Sequence, residues 1–440
     1  MPGFVRAAVD AVLRMGLLRM GPIQMGLLGM GAVGCAWQGA TPIATRAPVV
    51  VSATTSNGPT TAVPADADTP AESPRAHLPP EAIELDFDQG DRRLTGTLTL
   101  PARHRGERVP AVLIVHGSGP LSRDGVMRGQ LGLGFGFELP VYARLASALA
   151  SHGYAVYRYD KRTCGSFNGC ADNDYPTVPP SLRGTEFTIG AYRQDALAAL
   201  AALASHEAVD ATRIFVVGHS QGASLVPLLL ADRPELRAGV MLAPPFHSIG
   251  QLVARQSATV YWAFSAAGEP ERAERECQVL ATAALALDHL EAGTHLGEPI
   301  LGQAPETWAS WIELSHVAPE VASDLDRPLL VLGGGYDYNV SVAEIAAWKA
   351  HLGHARIRHR VRVLPCVTHA LNCITQPDPK RIHAEDIGHE IAPTLVSELV
   401  AFLDEASARP GRDDRTAKLH RQPRAAPVLA GSPSPTTPWR

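Results

Sequence analysis

The chain has 440 residues, of which 45% are hydrophobic and 19% charged, with a formal net charge of −5 at pH 7. That hydrophobic share supports a globular core, and a slightly acidic chain lacks the basic surface that nucleic-acid binding needs, so no nucleic-acid partner is expected. The length exceeds one average domain but suits a single long α/β domain with atypical ends.

Residues 1–35 read as a targeting leader. Arg6, Arg14 and Arg19 precede an apolar, Gly- and Met-rich run from 20 to 34 that closes on Ala32-Val33-Gly34-Cys35. Pro22 and Gln24 interrupt the run, and it falls short of the roughly 20 apolar residues of a membrane span. Small residues before a cysteine resemble a bacterial lipobox, in which the peptide is cut before the cysteine and the cysteine is lipidated. This implies export, either as a cell-envelope lipoprotein attached to the membrane through Cys35 or, if the signal is simply cleaved, as a periplasmic or secreted protein. Residues 36–80, rich in Ala, Thr, Pro and Ser, cannot bury a core and read as a flexible linker. Residues 406–440 are similarly poor in core formers and read as a disordered tail.

Residues 81–405 carry the regular patterning. Stretches 81–87 and 94–100 alternate apolar and polar residues, predicting a half-exposed antiparallel hairpin. The continuous apolar run 111–115 predicts a strand covered on both faces. A helix over 139–151, a strand over 154–159, a helix over 189–205, a strand over 213–217, a helix from 223 and a strand over 238–242 follow. Strands over 329–332 and 360–364 flank a helix over 342–352, and a last helix runs from about 386 to 403. Strands alternating with helices predict an α/β fold with a mainly parallel, eight-stranded sheet flanked by helices. Between 247 and 322 the strands stop, and helices over 251–266, 269–289 and 305–314 read as a helical cap (about 248–322) inserted after the sixth strand. Trp308 and Trp311 share a helix face; with Trp262 and Phe264 they either pack the cap or line an acyl pocket.

The chemistry is concentrated at strand ends. Gly218-His219-Ser220-Gln221-Gly222 lies between an apolar strand and an apolar helix, the context of a nucleophile elbow. Glycines 218 and 222 remove side chains that would collide with neighbouring backbone, and Ser220 is the candidate nucleophile. A serine hydroxyl needs a base within hydrogen-bond reach and a carboxylate to orient that base. Asp337 stands just past the strand at 329–332, and His369 just past the strand at 360–364. Asp324 and Asp326 are rival acids, but they precede the strand; His383 and His389 are rival bases farther along. Oxyanion donors are expected from the N–H of Gln221 and, in the loop His116-Gly117-Ser118-Gly119-Pro120, from the N–H of Ser118. His116 and His219 lie beside the site and read as structural. No C-x-x-C or His/Cys cluster suggests zinc, and neither a metal nor a cofactor is expected.

The six cysteines fit an exported protein. Cys164 and Cys170 are spaced to close a short loop, as are Cys366 and Cys373, which leaves Cys277 odd; spacing does not decide the pairing, and free buried thiols are the alternative.

Across residues 81–405 the chain resembles the α/β-hydrolase superfamily. The loop 116–120 followed by Arg123-Asp124-Gly125, and the run Tyr159-Asp160-Lys161-Arg162, resemble bacterial esterases of the serine aminopeptidase-like and acyl-thioesterase-like branch. In relatives Asp-Lys-Arg usually continues as Gly-x-Gly-x-Ser; here it continues Thr163-Cys164-Gly165-Ser166, with a longer insertion. A disulfide between Cys366 and Cys373 would fix the loop holding His369 in an oxidising compartment. The resemblance implies a Ser220–His369–Asp337 triad that cleaves a small-molecule carboxylic ester through an acyl-enzyme. A serine aminopeptidase or acyl thioesterase with the same triad is the alternative, and a non-catalytic binding module a more distant one.

Overall fold

The computed structural model describes residues 80–408 except 91, 103–105, 128–137, 165–185, 267 and 375–386. The expected leader with Cys35, the expected linker up to residue 79, Cys170, His383 and the expected tail beyond residue 408 lie outside the described residues.

Eight strands form one sheet: β1 (Glu81–Glu84), β2 (Gly96–Leu100), β3 (Val109–Val115), β4 (Ala155–Tyr159), β5 (Val209–His219), β6 (Ala238–Leu242), β7 (Leu329–Gly334) and β8 (His359–Leu364). Their spatial order is β1-β2-β4-β3-β5-β6-β7-β8. Strand β2 runs antiparallel to β1 and β4, and all other neighbours are parallel. The apolar runs are continuous because the sheet is covered on both faces. Ile214 and Val216 of β5 enter one core while Phe215 and Val217 enter the other, and β7 divides in the same way between Leu329/Val331 and Leu330/Leu332.

Helices α1 (Val141–Ser151), α2 (Ile189–Ser205), α3 (Gln221–Asp232), α4 (Ile249–Ala266), α5 (Pro270–Glu291), α6 (Pro305–Asp324), α7 (Val342–Leu352) and α8 (Pro393–Ala408) complete the framework. Tyr142, Leu145 and Leu149 of α1 share a core with Leu395, Leu399 and Phe402 of α8. On the opposite face Leu200 of α2, Leu225 and Leu229 of α3, Leu314 of α6 and Trp348 of α7 pack together.

Several boundaries differ from expectation; β5, for one, begins at Val209, four residues before its expected start. The first hairpin is broken after Glu84, and a short antiparallel pair, Phe87–Gln89 with Arg92–Leu94, fills the gap. Residues Ile387–Ile391 form a strand paired with Asn372–Ile374, and α8 begins only at Pro393, a residue suited to the first helical turn. Helix α6 continues to Asp324, ten residues past its expected end. Its first half joins the cap through Trp308 and Ile312, but Leu314, Ala318 and Ala322 belong to the main core.

The cap is thus α4, α5 and the start of α6. Trp308 donates its indole N–H to the Ile300 carbonyl at 2.8 Å and stacks on Trp311, so it packs the cap. Phe264 is buried under Arg272. Trp262 is 40% exposed and lies 6.1 Å from the ring of Tyr338, next to Asp337. The hinge into the cap is tied down by Glu344 of α7, whose buried carboxylate accepts the N–H groups of Phe246 (2.7 Å) and His247 (2.9 Å) and also pairs with Arg255.

Candidate active site

Strand β5 passes into α3 through the single residue Ser220, with φ 53° and ψ −120°. A non-glycine residue in this region carries about 1–3 kcal/mol of strain and persists only where its surroundings over-determine it. Those surroundings are specific. The Ser220 N–H donates to the Leu242 carbonyl at 2.8 Å, and its own carbonyl accepts the Ala223 N–H at 2.9 Å. A methyl on Gly218 would stand 2.2 Å from the Gly222 carbonyl oxygen, and one on Gly222 2.3 Å from that of His116. Gly218 therefore lets the elbow close on itself, and Gly222 lets it press against the end of β3. Ser220 stands at the N-terminus of α3, where the helix field favours developing negative charge.

The loops after β7 and β8 meet beside it. His369 Nδ1 is 2.8 Å from Asp337 Oδ2, while Asp337 Oδ1 accepts the N–H groups of Asn339 (2.9 Å) and Val340 (2.8 Å). These bonds hold the carboxylate with one oxygen aimed at the imidazole. The two loops interlock: Tyr336 N–H donates to the Val367 carbonyl at 3.0 Å, and Gly335 N–H to that of Leu364 at 2.8 Å. Side chains on Gly334 and Gly335 would collide with the Val367 carbonyl at 2.2 Å and the Pro365 carbonyl at 2.4 Å, which accounts for glycine at the end of β7 and just past it. The His369 turn is closed from within by Thr368 N–H to the Asn372 carbonyl (2.9 Å) and Ile374 N–H to the Cys366 carbonyl (2.8 Å). The Cys366–Cys373 disulfide, with Cα atoms 4.9 Å apart, brackets the same turn. Cys164 and Cys277 also take part in disulfides, so Cys277 is not the odd thiol that spacing suggested.

His369 reaches the elbow through His219. The two rings lie 4.7 Å apart, and His219 Nε2 is 3.0 Å from the His369 carbonyl. The remaining link, from the Ser220 hydroxyl to the His369 ring, is not made as a hydrogen bond in this structure. Active-site bonds are often long in an unliganded enzyme and tighten when substrate binds.

The two flanking histidines have their own work. Gly117 N–H donates to the Tyr142 hydroxyl at 2.8 Å, and that hydroxyl lies 3.1 Å from His219 Nδ1. Since His219 Nε2 faces a carbonyl, the network assigns it the proton, and Tyr142 donates to Nδ1. Burial drives His219 well below its ordinary value and pushes the Tyr142 phenol up, so both are neutral near pH 7. His116 directs Nε2 at the Tyr159 carbonyl, and burial pulls it down to about 3. Neither ring is free to act as a general base.

Of the expected oxyanion residues, Gln221 opens α3 directly after Ser220, and Ser118 is exposed in the loop after β3. That loop touches the elbow: a methyl on Gly117 would lie 3.3 Å from Ser220 Cβ. Gly119, with φ 93°, turns the chain away. The rival acids are elsewhere, Asp324 at the end of α6 and Asp326 paired with Arg327 ahead of β7. His389 is exposed on its short strand.

Sequence reasoning missed two participants. Tyr142 had no local signal. Lys161 was noticed only within a family motif, yet it is buried with Nζ 2.7 Å from the Gly117 carbonyl and 2.8 Å from Gln221 Oε1. Its neighbours in Asp160-Lys161-Arg162 are tied as firmly. Asp160 accepts the Arg123 N–H at 2.6 Å, and Arg162 makes a two-pronged bond to buried Asp195. An Asp-Lys-Arg triplet directly after an apolar strand is the signal that could have marked all three.

The sequence model of the alpha/beta hydrolase family matches residues 112–385. Esterase EstD of Thermotoga maritima is 28% identical over 289 residues, 66% of this chain and 60% of that protein, so the chain spans less than two thirds of its relative's length. Among solved structures, the acylaminoacyl peptidase of Pyrococcus horikoshii aligns with a TM-score of 0.45 at 16% identity, over 76% of this chain and 44% of that one. Est1E from Butyrivibrio proteoclasticus aligns with a TM-score of 0.41 at 15% identity, over 74% of this chain and 99% of that one.

Proposed function

Because this chain belongs to the alpha/beta hydrolase family, we propose that it is a serine hydrolase that cleaves carboxylic esters through an acyl-enzyme. One observation carries the reading: a strained elbow serine follows His219, whose ring lies 4.7 Å from an imidazole with Nδ1 engaged by a buried carboxylate at 2.8 Å. With Nδ1 so engaged, the His369 ring keeps Nε2 for the Ser220 proton. Ser220 Oγ attacks the acyl carbon as that proton moves to Nε2. The tetrahedral oxyanion takes hydrogen bonds from the N–H groups of Gln221 and Ser118. His369 then returns the proton to the departing alcohol, and a water activated by the same imidazole releases the acid. Asp337 holds the ring and offsets the positive charge it acquires. The esterase relative supports an ester as the substrate class.

The test pairs substrates with a single variant. Purified protein is given p-nitrophenyl esters of increasing acyl length beside aminoacyl p-nitroanilides. Ester turnover is expected, with Ser220→Ala lowering kcat by about 10^6-fold, to the assay floor. Turnover of anilides alone would move the reading to a peptidase. A folded Ser220→Ala protein with near-normal ester turnover would remove the serine mechanism.

A further inference from the structure

We propose that Lys161 is a positioning residue for the oxyanion hole, holding both N–H donors through one buried ammonium. The inference deepens the serine-hydrolase reading and rests on it.

Lys161 lies two residues past β4, and its side chain is buried. Nζ donates to the Gly117 carbonyl at 2.7 Å and to Gln221 Oε1 at 2.8 Å, and it lies 4.3 Å from the centroid of the Tyr192 ring. The first of these bonds bears on Ser118. Gly117 C=O and Ser118 N–H belong to the same peptide unit, which is planar and trans, so the two groups point in opposite directions. Fixing the carbonyl on the buried ammonium aims the Ser118 N–H away from that ammonium, in a loop whose Gly117 lies against the elbow, where an added methyl would stand 3.3 Å from Ser220 Cβ. The second bond fixes Gln221, the residue that carries the other donor. One cation therefore sets the spacing between two donors that come from different strands, β3 and β5.

The choice of partners separates this from a stability device. Both acceptors are neutral oxygens. The nearby carboxylate of Asp195 is occupied by Arg162, at 2.7 and 2.5 Å. A buried cation without a carboxylate of its own is costly, and burial pulls the Lys161 ammonium down toward about 7, against the attraction of Asp195. Its charge also lies on the carbonyl side of the Gly117–Ser118 peptide and polarises it in the direction that strengthens the N–H. A small cavity, with room for about one water molecule, borders the ammonium among His116, Tyr159, Tyr192 and Asp195.

The oxyanion exists only in the transition state, so losing the anchor must slow turnover without weakening substrate binding. Full-length Lys161→Met, which keeps the length of the side chain but neither its charge nor its donors, is expected to lower kcat about 100-fold with KM within about twofold. Affinity for a trifluoromethyl ketone, which forms a tetrahedral adduct with the serine, should fall in parallel with kcat. Folded protein with wild-type kcat, or a loss carried by KM and not kcat, overturns the proposal. Should Lys161→Met fail to fold, Gln221→Leu cuts one of the two bonds and leaves the lysine in place. It should lower kcat about tenfold at unchanged KM, and wild-type kcat there is equally fatal. Ser220→Ala is measured alongside. If it stays active, the serine-hydrolase reading itself has failed. If it is inert while Lys161→Met turns over normally, only the role of Lys161 has failed.

Discussion

Gly222→Ala replaces a hydrogen with a methyl group, one extra carbon, where the elbow meets the end of β3. The new methyl would lie 2.3 Å from the His116 carbonyl oxygen and 2.4 Å from that of Val115, both of them backbone atoms that no rotamer change can move. Side-chain carbons rarely approach such atoms closer than about 3.4 Å, so roughly 1 Å of separation must open between the start of α3 and the end of β3. Overpacking of this kind costs about 1–3 kcal/mol. The larger effect is on turnover, because β3 leads straight into Gly117 and Ser118 while α3 carries Ser220 and Gln221. A displacement of about 1 Å in a catalytic constellation lowers the rate about 100-fold. Urea unfolding and ester hydrolysis on the same preparation measure the two effects. Gly190→Ala is the matched control, since its methyl would meet only Thr188 Oγ1 at 3.9 Å. It lies in the first turn of α2, where stabilisation of about 0.4–1 kcal/mol and normal turnover are expected. A folded Gly222→Ala enzyme with wild-type kcat would refute the claim that elbow contact with β3 sets the catalytic geometry.

Two other changes probe the loops that meet at His369. Asp337→Asn retains an oxygen that can accept the Asn339 and Val340 N–H groups but no longer stabilises the imidazolium, so kcat should fall about 10^4-fold with the thermal midpoint little changed. Equal losses from Asp324→Asn or Asp326→Asn would show that the acid has been misassigned. Cys366→Ala/Cys373→Ala opens a loop whose ends are 7 residues apart. Loop-closure entropy predicts a loss of about 2–3 kcal/mol in urea unfolding, and because the bridge brackets His369, a fall in kcat as well. An unchanged midpoint and unchanged kcat would show that the internal hydrogen bonds of the turn are sufficient alone.

Much of the framework was readable from local pattern. Strand β6, helix α2 and helix α7 lie where periodicity placed them, because each has a clear apolar run or face and an abrupt polar boundary. Failures came where tertiary contacts override local preference. Residues Ile387–Ile391 read as the start of a helix, yet they pair with Asn372–Ile374, and the buried Asn372 amide bonds the Gly388 carbonyl at 2.6 Å. The pattern of helix α6 breaks off before its true end because its Trp-rich first half and its small second half, Ala318, Pro319 and Ala322, look unrelated. They differ because one packs against the cap and the other against α3.

The site divides along the same line. Ser220, Asp337 and His369 announce themselves because each follows an apolar strand, with glycines before it or a turn after it, and a strand end is a feature of a few adjacent residues. The supports are of another kind. Tyr142 joins Gly117 to His219 across 25 and 77 positions of chain, and Lys161 joins Gly117 to Gln221 across 44 and 60. No window of sequence contains both partners of such a bond. What the chain does show locally is a cost: a lysine placed two residues past a largely buried strand, where exposure is unavailable and a charge must find oxygens. A charged residue forced inward by its position is itself a signal, and here it leads to the two backbone segments that must stay in register for an oxyanion to be held.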